Sequence, residues 1–277
     1  MSRLIDNIWP NAVSLTFQDR IAVAVRHTLG YCVACGKFTI FHISSENLRE
    51  DVVCKNCGCF NRQRQLLMAL LSCIGGQSKL LWKNIKNIPI NALIWNAEAN
   101  GAFHERLSFY LGKNLISSEY ISSSMKSGEI KDGILHVDMQ ETHFEDNSLD
   151  FVLSSDVLEH MPYPKKALNE TFRILKPGGS HIFTVPFYGH RFTNEKRAGI
   201  DGEGRIKYLL PRIYHSDPIR PAEGTLVYNI FAPEILCDLE KIGFSVRWCR
   251  IYSPFHGVFG NNGVVIIAQK PCVSEPQ

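Results

Sequence analysis

Four cysteines near the start of the chain have the spacing of a metal site. Cys32-Val33-Ala34-Cys35-Gly36 is followed 18 residues later by Cys54-Lys55-Asn56-Cys57-Gly58, and both halves read Cys-x-x-Cys-Gly. In such turns the two thiolates share one face, and glycine permits the tight backbone reversal behind them. The spacing predicts a four-thiolate zinc site on Cys32, Cys35, Cys54 and Cys57. A site closed by four thiolates stabilises a fold and performs no chemistry.

Two other interpretations of these cysteines are buried free thiols and a redox pair. Five of the nine cysteines fall within 28 residues, and in a reducing compartment such clustering favours a metal over disulfides. Cys59 is an extra thiol that could replace Cys57 as a ligand. The segment between the two pairs, Lys37–Ser44, is β-prone and predicts the hairpin of a zinc ribbon.

A second informative stretch runs from Asp138 to Pro186. An apolar strand over residues 133–137 ends at an acidic residue, and a strand over residues 151–154 leads into the turn Ser155-Asp156-Val157-Leu158-Glu159-His160. A helix with apolar residues up to Leu175 follows, Lys176-Pro177-Gly178-Gly179 stops it, and a strand over residues 181–185 completes a parallel crossover unit. These roughly fifty residues resemble the second half of class I S-adenosylmethionine-dependent methyltransferases of type 11.

The resemblance implies an α/β fold, with a Rossmann-like seven-stranded sheet, helices on both faces and an antiparallel last strand. The first strand is expected at 92–95, and a helix is expected from Gly101 to about Tyr110. Between them lies Asn96-Ala97-Glu98-Ala99-Asn100-Gly101, the position of the family's glycine-rich loop, here with one glycine. The resemblance implies that Asn96, Glu98 and Gly101 bind the methionine part of S-adenosylmethionine.

The resemblance also assigns the residues that follow the later strands. The strand 115–118 ends at Glu119, which would hold both ribose hydroxyls, because a carboxylate can accept two hydrogen bonds from a vicinal diol. An ordinary surface glutamate is the alternative. Asp138 would accept from the adenine amino group with Met139 beside the ring, and Ser155 and Asp156 would line the other side of the cofactor.

Three histidines are candidates for acid–base chemistry. His160 is expected on the first turn of the helix after Asp156, as a structural residue or a wall of the methionine pocket, with a general base as the alternative. Residues 187–226 lose periodicity and predict an ordered insertion that carries the methyl acceptor, with a mobile surface loop as the alternative. Within it, His215 is the first candidate base and His190 the second.

The remaining elements divide the chain into two predicted parts. Residues 1–80 would hold a helix over 17–29 that stops at Gly30, the zinc ribbon, and a helix that begins near Asn61. Arg62 and Arg64 would lie in its first turns, where they would either be solvated or contact an anionic substrate. Residues 81–277 would form the methyltransferase domain, starting with a connector over 81–91. They would close with a helix over 233–242, strands over 244–249 and 264–268, and a loose tail after Lys270.

Composition restricts the function classes. With 277 residues, 45% hydrophobic and 21% charged, the chain has the make-up of an ordinary globular protein. Its longest apolar run is too short to span a bilayer and no secretory signal is visible, so a cytoplasmic protein is expected. The net charge of +3 is well short of the basic stripe of a dedicated nucleic-acid binder.

Three functions remain open at this point. The first is a methyltransferase acting on an O or N atom of a small-molecule or glycan-linked acceptor. Gly101-Ala102-Phe103, Glu119 and Tyr214-His215-Ser216-Asp217-Pro218 resemble a bacterial group of such enzymes with an N-terminal zinc ribbon. The second is an RNA methyltransferase that binds RNA through the ribbon and the two arginines, and the third is a non-catalytic interaction protein of the same fold. The oligomeric state is left open.

Overall fold

The sheet at the centre of the protein has eight strands. The computed structural model describes residues 15–75, 87–89, 91–215, 222–260 and 263–272. The strands of this sheet are β4 (Ile94–Asn96), β5 (Leu115–Glu119), β6 (Ile130–Lys131), β7 (Ile134–His136), β8 (Leu149–Ser155), β9 (Leu175–Thr184), β16 (Ser245–Arg250) and β17 (Val264–Gln269). Their order across the sheet is β16-β17-β9-β8-β4-β5-β7-β6.

The predicted seven-stranded α/β sheet is confirmed, with one addition. Strands β7, β5, β4, β8 and β9 run parallel, whereas β17 pairs antiparallel with β9 and β16 antiparallel with β17. The addition is β6, a two-residue strand that forms an antiparallel hairpin with β7 at the edge. The carboxyl ends of the five parallel strands therefore face the same side, where ligands bind in open α/β sheets.

Helices cover both faces of this sheet because side chains alternate along its strands. Ile94 points into one hydrophobic cluster and Trp95 into the other, and Ile182 and Phe183 divide in the same way. The described helices are α1 (Phe17–Val25), α2 (Asn61–Cys73), α3 (Gly101–Leu111), α4 (Pro164–Ile174) and α5 (Glu234–Ile242). Helices α2 and α3 contribute to the first cluster, and α4 and α5 contribute to the second.

The predicted stop at Lys176-Pro177-Gly178-Gly179 is wrong. Helix α4 ends at Ile174, and the four residues already belong to β9, which begins at Leu175. Leu175 pairs with Leu149, and the ladder continues across a register shift. A Cβ at Gly179 would lie 2.9 Å from the Asp150 carbonyl oxygen, so glycine allows β9 to lie this close to β8.

The predicted helix over 17–29 is too long. The backbone of Arg26 is left-handed at φ 66°, and residues from His27 onward form β1 (His27–Tyr31), which pairs with β2 (Phe38–His42). Pairing across the first cysteine turn therefore outweighs helical propensity. Gly30 lies inside β1, where a Cβ would meet the Phe255 carbonyl oxygen at 2.1 Å.

The N-terminal segment packs into the same core as the sheet. Strand β3 (Val53–Cys54) pairs with β2 and completes a three-stranded antiparallel ribbon, as predicted for the region between the cysteine pairs. Helix α2 lies on β8, β9 and β17, and its leucines share one cluster with the ribbon cysteines. The predicted boundary near Leu80 lies outside the described residues.

Arg62 and Arg64 are not the solvated first turns predicted for this helix. Arg64 is fully buried and donates to the carbonyl oxygens of Cys59 (2.6 Å), Gly257 (2.6 Å) and Val52. The side chain of Arg62 is only 12% exposed. The predicted polarity fails because the C-terminal segment and the ribbon close over the start of α2.

The described part of the insertion is built from short strand pairs. They surround a small cluster of Tyr188, Ile213, Val227 and Ile230, and residues 216–218 of the predicted motif lie outside the described residues. After the insertion, α5 and the strands β16 and β17 appear as predicted. The strand pairs of the insertion are β10 (Glu195–Lys196) with β15 (Asn229–Ile230), β11 (Ala198–Ile200) with β12 (Ile206–Tyr208), and β13 (Tyr214–His215) with β14 (Thr225–Leu226).

No described helix has the length and apolar character needed to cross a membrane.

Candidate functional site

The four predicted zinc ligands lie together in the ribbon. The Sγ atoms of Cys32, Cys35, Cys54 and Cys57 all lie within 4.8 Å of one another, with Cys32 and Cys57 3.7 Å apart. Cys59 is buried but does not belong to this group. Four convergent thiols on two tight turns fit a tetrahedral zinc ion.

The glycine after each cysteine pair explains how the turns close. Gly36 and Gly58 have left-handed backbones, with φ of 69° and 76°. Their N–H groups donate to the carbonyl oxygens of Cys32 and Cys54 at 2.8 Å each. The chain thus reverses directly behind each pair of thiols, as the Cys-x-x-Cys-Gly pattern predicts.

Arg64 supplies positive charge close to the cysteine cluster. Burial lowers the pKa of its guanidinium, while the charges of the neighbouring thiols act in the opposite direction. A zinc ion with four thiolates carries a net charge of −2, which would balance this buried cation. The surroundings therefore suit a metal–thiolate centre better than four neutral thiols.

At the carboxyl edge of the sheet, the loop after β4 and the end of β5 meet. The Glu119 carboxylate accepts from the backbone N–H of Ala99 (2.9 Å) and from Asn100 Nδ2 (3.1 Å). Gly101 begins α3 with a left-handed φ of 81°, so the single glycine of the loop stands where the backbone requires one. The side chain of Asn96 is buried and donates to the Glu98 carbonyl oxygen at 2.5 Å, which shapes the loop from within.

The next two predicted residues follow β7. Asp138 is partly exposed, and its Oδ1 accepts from the backbone N–H of Gln140 (2.8 Å) and from its side-chain amide (3.2 Å). Met139 is only 3% exposed and packs in the core beneath. Asp138 therefore faces the edge, whereas the Met139 side chain supports it from the core.

Asp156, after β8, is held by the N-terminal segment. Arg49 donates to both of its carboxylate oxygens at 2.5 and 2.6 Å, and Arg62 lies 3.6 Å away and also donates to Ser155 Oγ. Burial alone would raise the pKa of Asp156, but the two guanidinium groups hold it well below its usual range. Glu50, whose side chain is 37% exposed, accepts from both arginines and completes a network of two cations and two anions at the surface end of this largely buried group.

Sequence reasoning missed Arg49 and Glu50. They lie on a short 3₁₀ turn, Leu48–Glu50, between the two cysteine pairs, and Arg49 is 107 residues from Asp156. Their only sequence signal is a charged pair next to Leu48, between the β-prone segment Lys37–Ser44 and the second cysteine pair. The predicted Ser155 and Asp156 thus contact the ribbon segment directly.

Glu98 has the most perturbed carboxyl group of the loop. Burial raises its pKa to about 7, with the Glu119 charge adding to the rise and Arg62 opposing it. A carboxyl in such surroundings is suited to hold a cationic group, because its charge is then stabilised by that group.

We expect Glu98→Gln to stabilise the free protein by about 2 kcal/mol at pH 8 and by much less at pH 5. Because the pKa of Glu98 is raised to about 7 in the folded protein, ionisation of this carboxyl destabilises the fold. The destabilisation grows as the pH rises from the unfolded pKa toward 7 and reaches its full size above pH 7. Thermal unfolding across this pH range measures the difference. Glu105→Gln, on the exposed side of α3, is the matched control, and an equal pH-dependent gain there would contradict the assignment to Glu98.

Two of the three candidate histidines lie together beside a buried glutamate. His160 Nε2 and His215 Nδ1 lie 3.7 and 3.6 Å from Glu159 Oε1, and the two rings meet edge to face. Burial would lower the pKa of His215, but the Glu159 carboxylate raises it above its ordinary value. His190 is exposed against the Tyr188 ring and lies outside this group.

The histidines come together because the insertion folds back onto the segment after β8. The N–H of Tyr228 donates to the Glu159 carbonyl oxygen at 2.8 Å, and Asn229 Nδ2 donates to Met161 O at 2.8 Å. His160 lies on a separate 3₁₀ turn, Leu158–His160, and not on the first turn of α4 as predicted. Glu159 has no sequence signal beyond its place in the turn after β8.

The central part of the chain is similar to a known protein family. A family model described as a methyltransferase domain matches residues 100–183. This segment includes α3 and the strands β5, β7 and β8, and it ends within β9. It contains Gly101, Glu119, Asp138 and the turn after β8, which are the residues that the sequence predicts for the cofactor.

Curated relatives agree on the family over short segments. The chain is 38% identical over 53 residues to phosphoethanolamine N-methyltransferase 2 of Caenorhabditis elegans, covering 19% of this chain and 12% of that protein. It is 30% identical over 116 residues to an uncharacterized methyltransferase of Mycobacterium tuberculosis, covering 40% of this chain and 44% of that protein. The chain thus matches less than half the length of either relative.

Solved structures of methyltransferases are also similar. One is the 1,6-didemethyltoxoflavin-N1-methyltransferase of Burkholderia thailandensis, at 16% identity and a TM-score of 0.41, covering 76% of this chain and 78% of that one. Another is an S-adenosylmethionine-dependent methyltransferase of Mesorhizobium loti, at 16% identity and a TM-score of 0.40, covering 68% and 96%. Residues 100–183, less than half of this chain, therefore match a methyltransferase domain, and the curated relatives that the chain resembles in part are also methyltransferases.

Proposed function

We propose that this protein transfers the methyl group of S-adenosylmethionine to an O or N atom of a small-molecule or glycan-linked acceptor. The observation that carries the proposal is the convergence of Glu98, Glu119, Asp138 and Asp156 at the carboxyl edge of the sheet, on four neighbouring strand ends. In open α/β sheets this edge is where ligands bind.

Each group at this edge has a role in holding the cofactor. Glu119 would bind the ribose hydroxyls, and Asp138 would accept from the adenine amino group. Glu98 and the backbone around Gly101 would contact the methionine part. Asp156 is neutralised by Arg49 and Arg62, so its network forms the wall of the pocket and does not need to contact the ligand.

The acceptor side of the proposal rests on the insertion. Its strands close over the turn after β8 and bring His215 next to His160, so this side chain stands beside the proposed cofactor edge. Methyl transfer between two bound reactants gains mostly from alignment, and a hydroxyl acceptor must in addition lose a proton. One relative acts on phosphoethanolamine by name, which suits a small acceptor, although the 53 matched residues cover 12% of that protein.

A nucleic-acid acceptor is less well supported. That hypothesis relied on Arg62 and Arg64 to contact phosphate groups, but both side chains are buried and occupied by protein partners. The ribbon is also packed against the core of the sheet through its cysteines, so it is not a separate arm that could reach along a nucleic acid. We therefore propose that the zinc ribbon braces the methyltransferase fold.

Calorimetric titration with S-adenosylmethionine and S-adenosylhomocysteine tests the proposal. We expect Glu119→Ala to weaken the binding of both ligands about 30-fold or more, because two hydrogen bonds to a charged acceptor are lost. Glu119→Gln preserves the shape and keeps acceptor atoms for Ala99 and Asn100, so it separates loss of charge from collapse of the loop. Glu105→Ala is the control, and a folded wild-type protein that binds neither ligand would refute the function.

A further inference from the structure

The group formed by Glu159, His160 and His215 has the composition of an open metal site. One ligand atom from each residue lies within 4.8 Å of the others. Two imidazoles and one carboxylate form a three-ligand set that leaves further coordination positions for water or substrate. This group is separate from the four-cysteine cluster, which is a closed set.

Glu159 is a buried carboxylate that lacks the partners such a group requires. Its side chain is 0% exposed, and neither Oε1 nor Oε2 has a hydrogen-bond partner within the described ranges. In the same described residues, its ion-pair neighbours are the two histidines, at distances longer than a hydrogen bond. An ionised carboxylate buried in this way needs a cation to offset its desolvation.

The orientation of His160 presents a lone pair to that carboxylate. Its Nδ1 lies 2.9 Å from the Leu226 carbonyl oxygen, which can only accept, so Nδ1 carries the proton. In the neutral ring, Nε2 is then an acceptor that faces another acceptor, Glu159 Oε1, at 3.7 Å. A carbonyl behind the distal nitrogen is the usual support of a metal-ligating histidine, because it fixes the tautomer and the ring orientation.

The distances suit a metal ion between these atoms. Ligand atoms on a tetrahedral ion with bonds near 2.05 Å lie about 3.3 Å apart, so the separations of 3.6 and 3.7 Å from Glu159 need only a small inward movement, and the two imidazole nitrogens lie within 4.8 Å of each other. The imidazoles are 16% and 29% exposed, so solvent or a small ligand can reach the open positions of the ion.

We propose that Glu159, His160 and His215 bind a divalent metal ion, and that this ion receives a hydroxyl of the methyl acceptor. The binding of the acceptor hydroxyl rests on the proposed function. The ion would lower the pKa of the hydroxyl, whose proton leaves to solvent. The oxygen then attacks the methyl carbon, the new O–C bond forms as the C–S bond breaks, and the sulfur keeps the electron pair of that bond. The acceptor class is accordingly a hydroxyl compound.

Metal counting by equilibrium dialysis against Mn²⁺, with total divalent metal measured by mass spectrometry, tests the site without any methyl transfer. We expect the wild-type protein to hold one more ion per chain than Glu159→Gln. We expect His215→Ala to bind Mn²⁺ about tenfold or more weakly. His190→Ala removes an exposed histidine of the same insertion and is the matched control for metal binding. An equal count in wild type and Glu159→Gln would overturn the proposal.

Two further measurements keep the outcomes separate. Thermal unfolding verifies that the variants are folded, and His215→Ala, at the edge of the insertion, provides a second route if Glu159→Gln is not. Calorimetry with S-adenosylmethionine on the same samples then separates the two hypotheses. Cofactor binding without the extra ion sinks the metal site alone, whereas the extra ion without cofactor binding supports the site and refutes the proposed methyl transfer.

Discussion

Replacing Cys54 by serine is expected to abolish zinc binding and to unfold the N-terminal ribbon. Structural zinc contributes on the order of 10 kcal/mol to such sites, so the ribbon cannot keep its fold when one thiolate is lost. Because Cys54 lies in the same core as α2 and the sheet, we also expect the free energy of unfolding of the whole protein to fall by about 5 kcal/mol or more. Metal content and thermal unfolding measure both effects.

Cys59→Ser is the matched control for this prediction. Cys59 is equally buried and five residues away, but its thiol is not part of the four-cysteine group. We expect this variant to keep its zinc and to lose only about 1 kcal/mol. Retention of one zinc ion by Cys54→Ser, or its loss from Cys59→Ser, would show that the ligand set is wrong.

The second large effect is expected at Asp156. The change Asp156→Asn removes the charge between Arg49 and Arg62 but tolerates the left-handed backbone of this position, at φ 55°. Both guanidinium groups still contact Glu50, but that carboxylate is partly exposed, and we expect a loss of about 3–5 kcal/mol in the free energy of unfolding. Chemical denaturation measures this loss.

A double variant and a surface pair make this test specific. In Arg49→Met with Asp156→Asn, both members of the close pair are absent, so we expect part of the lost stability to return. Lys165 forms an ion pair with Asp238 at 2.9 Å but is 69% exposed, and Lys165→Met should cost less than about 1 kcal/mol. Similar losses at the two pairs would contradict a special role for the buried network.

The sheet and its polar edge could be predicted because their signals are local. The strand that ends at Glu119 and the helix that opens at Gly101 appear where the sequence places them, since apolar runs and a helix-opening glycine act over a few residues. The cysteine turns are equally local, and each repeats the same five-residue pattern. The resemblance to a known family then supplied the number of strands and the antiparallel direction of the last one.

The contacts that sequence reasoning missed are long-range or depend on packing. Arg49 meets Asp156 across 107 residues, and no periodicity links the two. Glu159 and His215 meet only because the insertion folds back onto the turn after β8. The helix predicted to reach residue 29 fails for a related reason, because strand pairing with β2 captures the residues after Arg26.

The contacts between the start of α2 and the C-terminal hairpin have a consequence for folding during synthesis. Asn61 Nδ2 donates to the carbonyl oxygens of Leu48 and Phe259, each at 2.7 Å, and Phe259 is 198 residues later in the chain. Ribosomes extend a chain by roughly 5–20 residues per second, so the ribbon and α2 wait about 10–40 s for these partners. Until then their apolar faces are open to chaperones, and an interrupted translation product ending before Phe259 would remain aggregation-prone even with zinc bound.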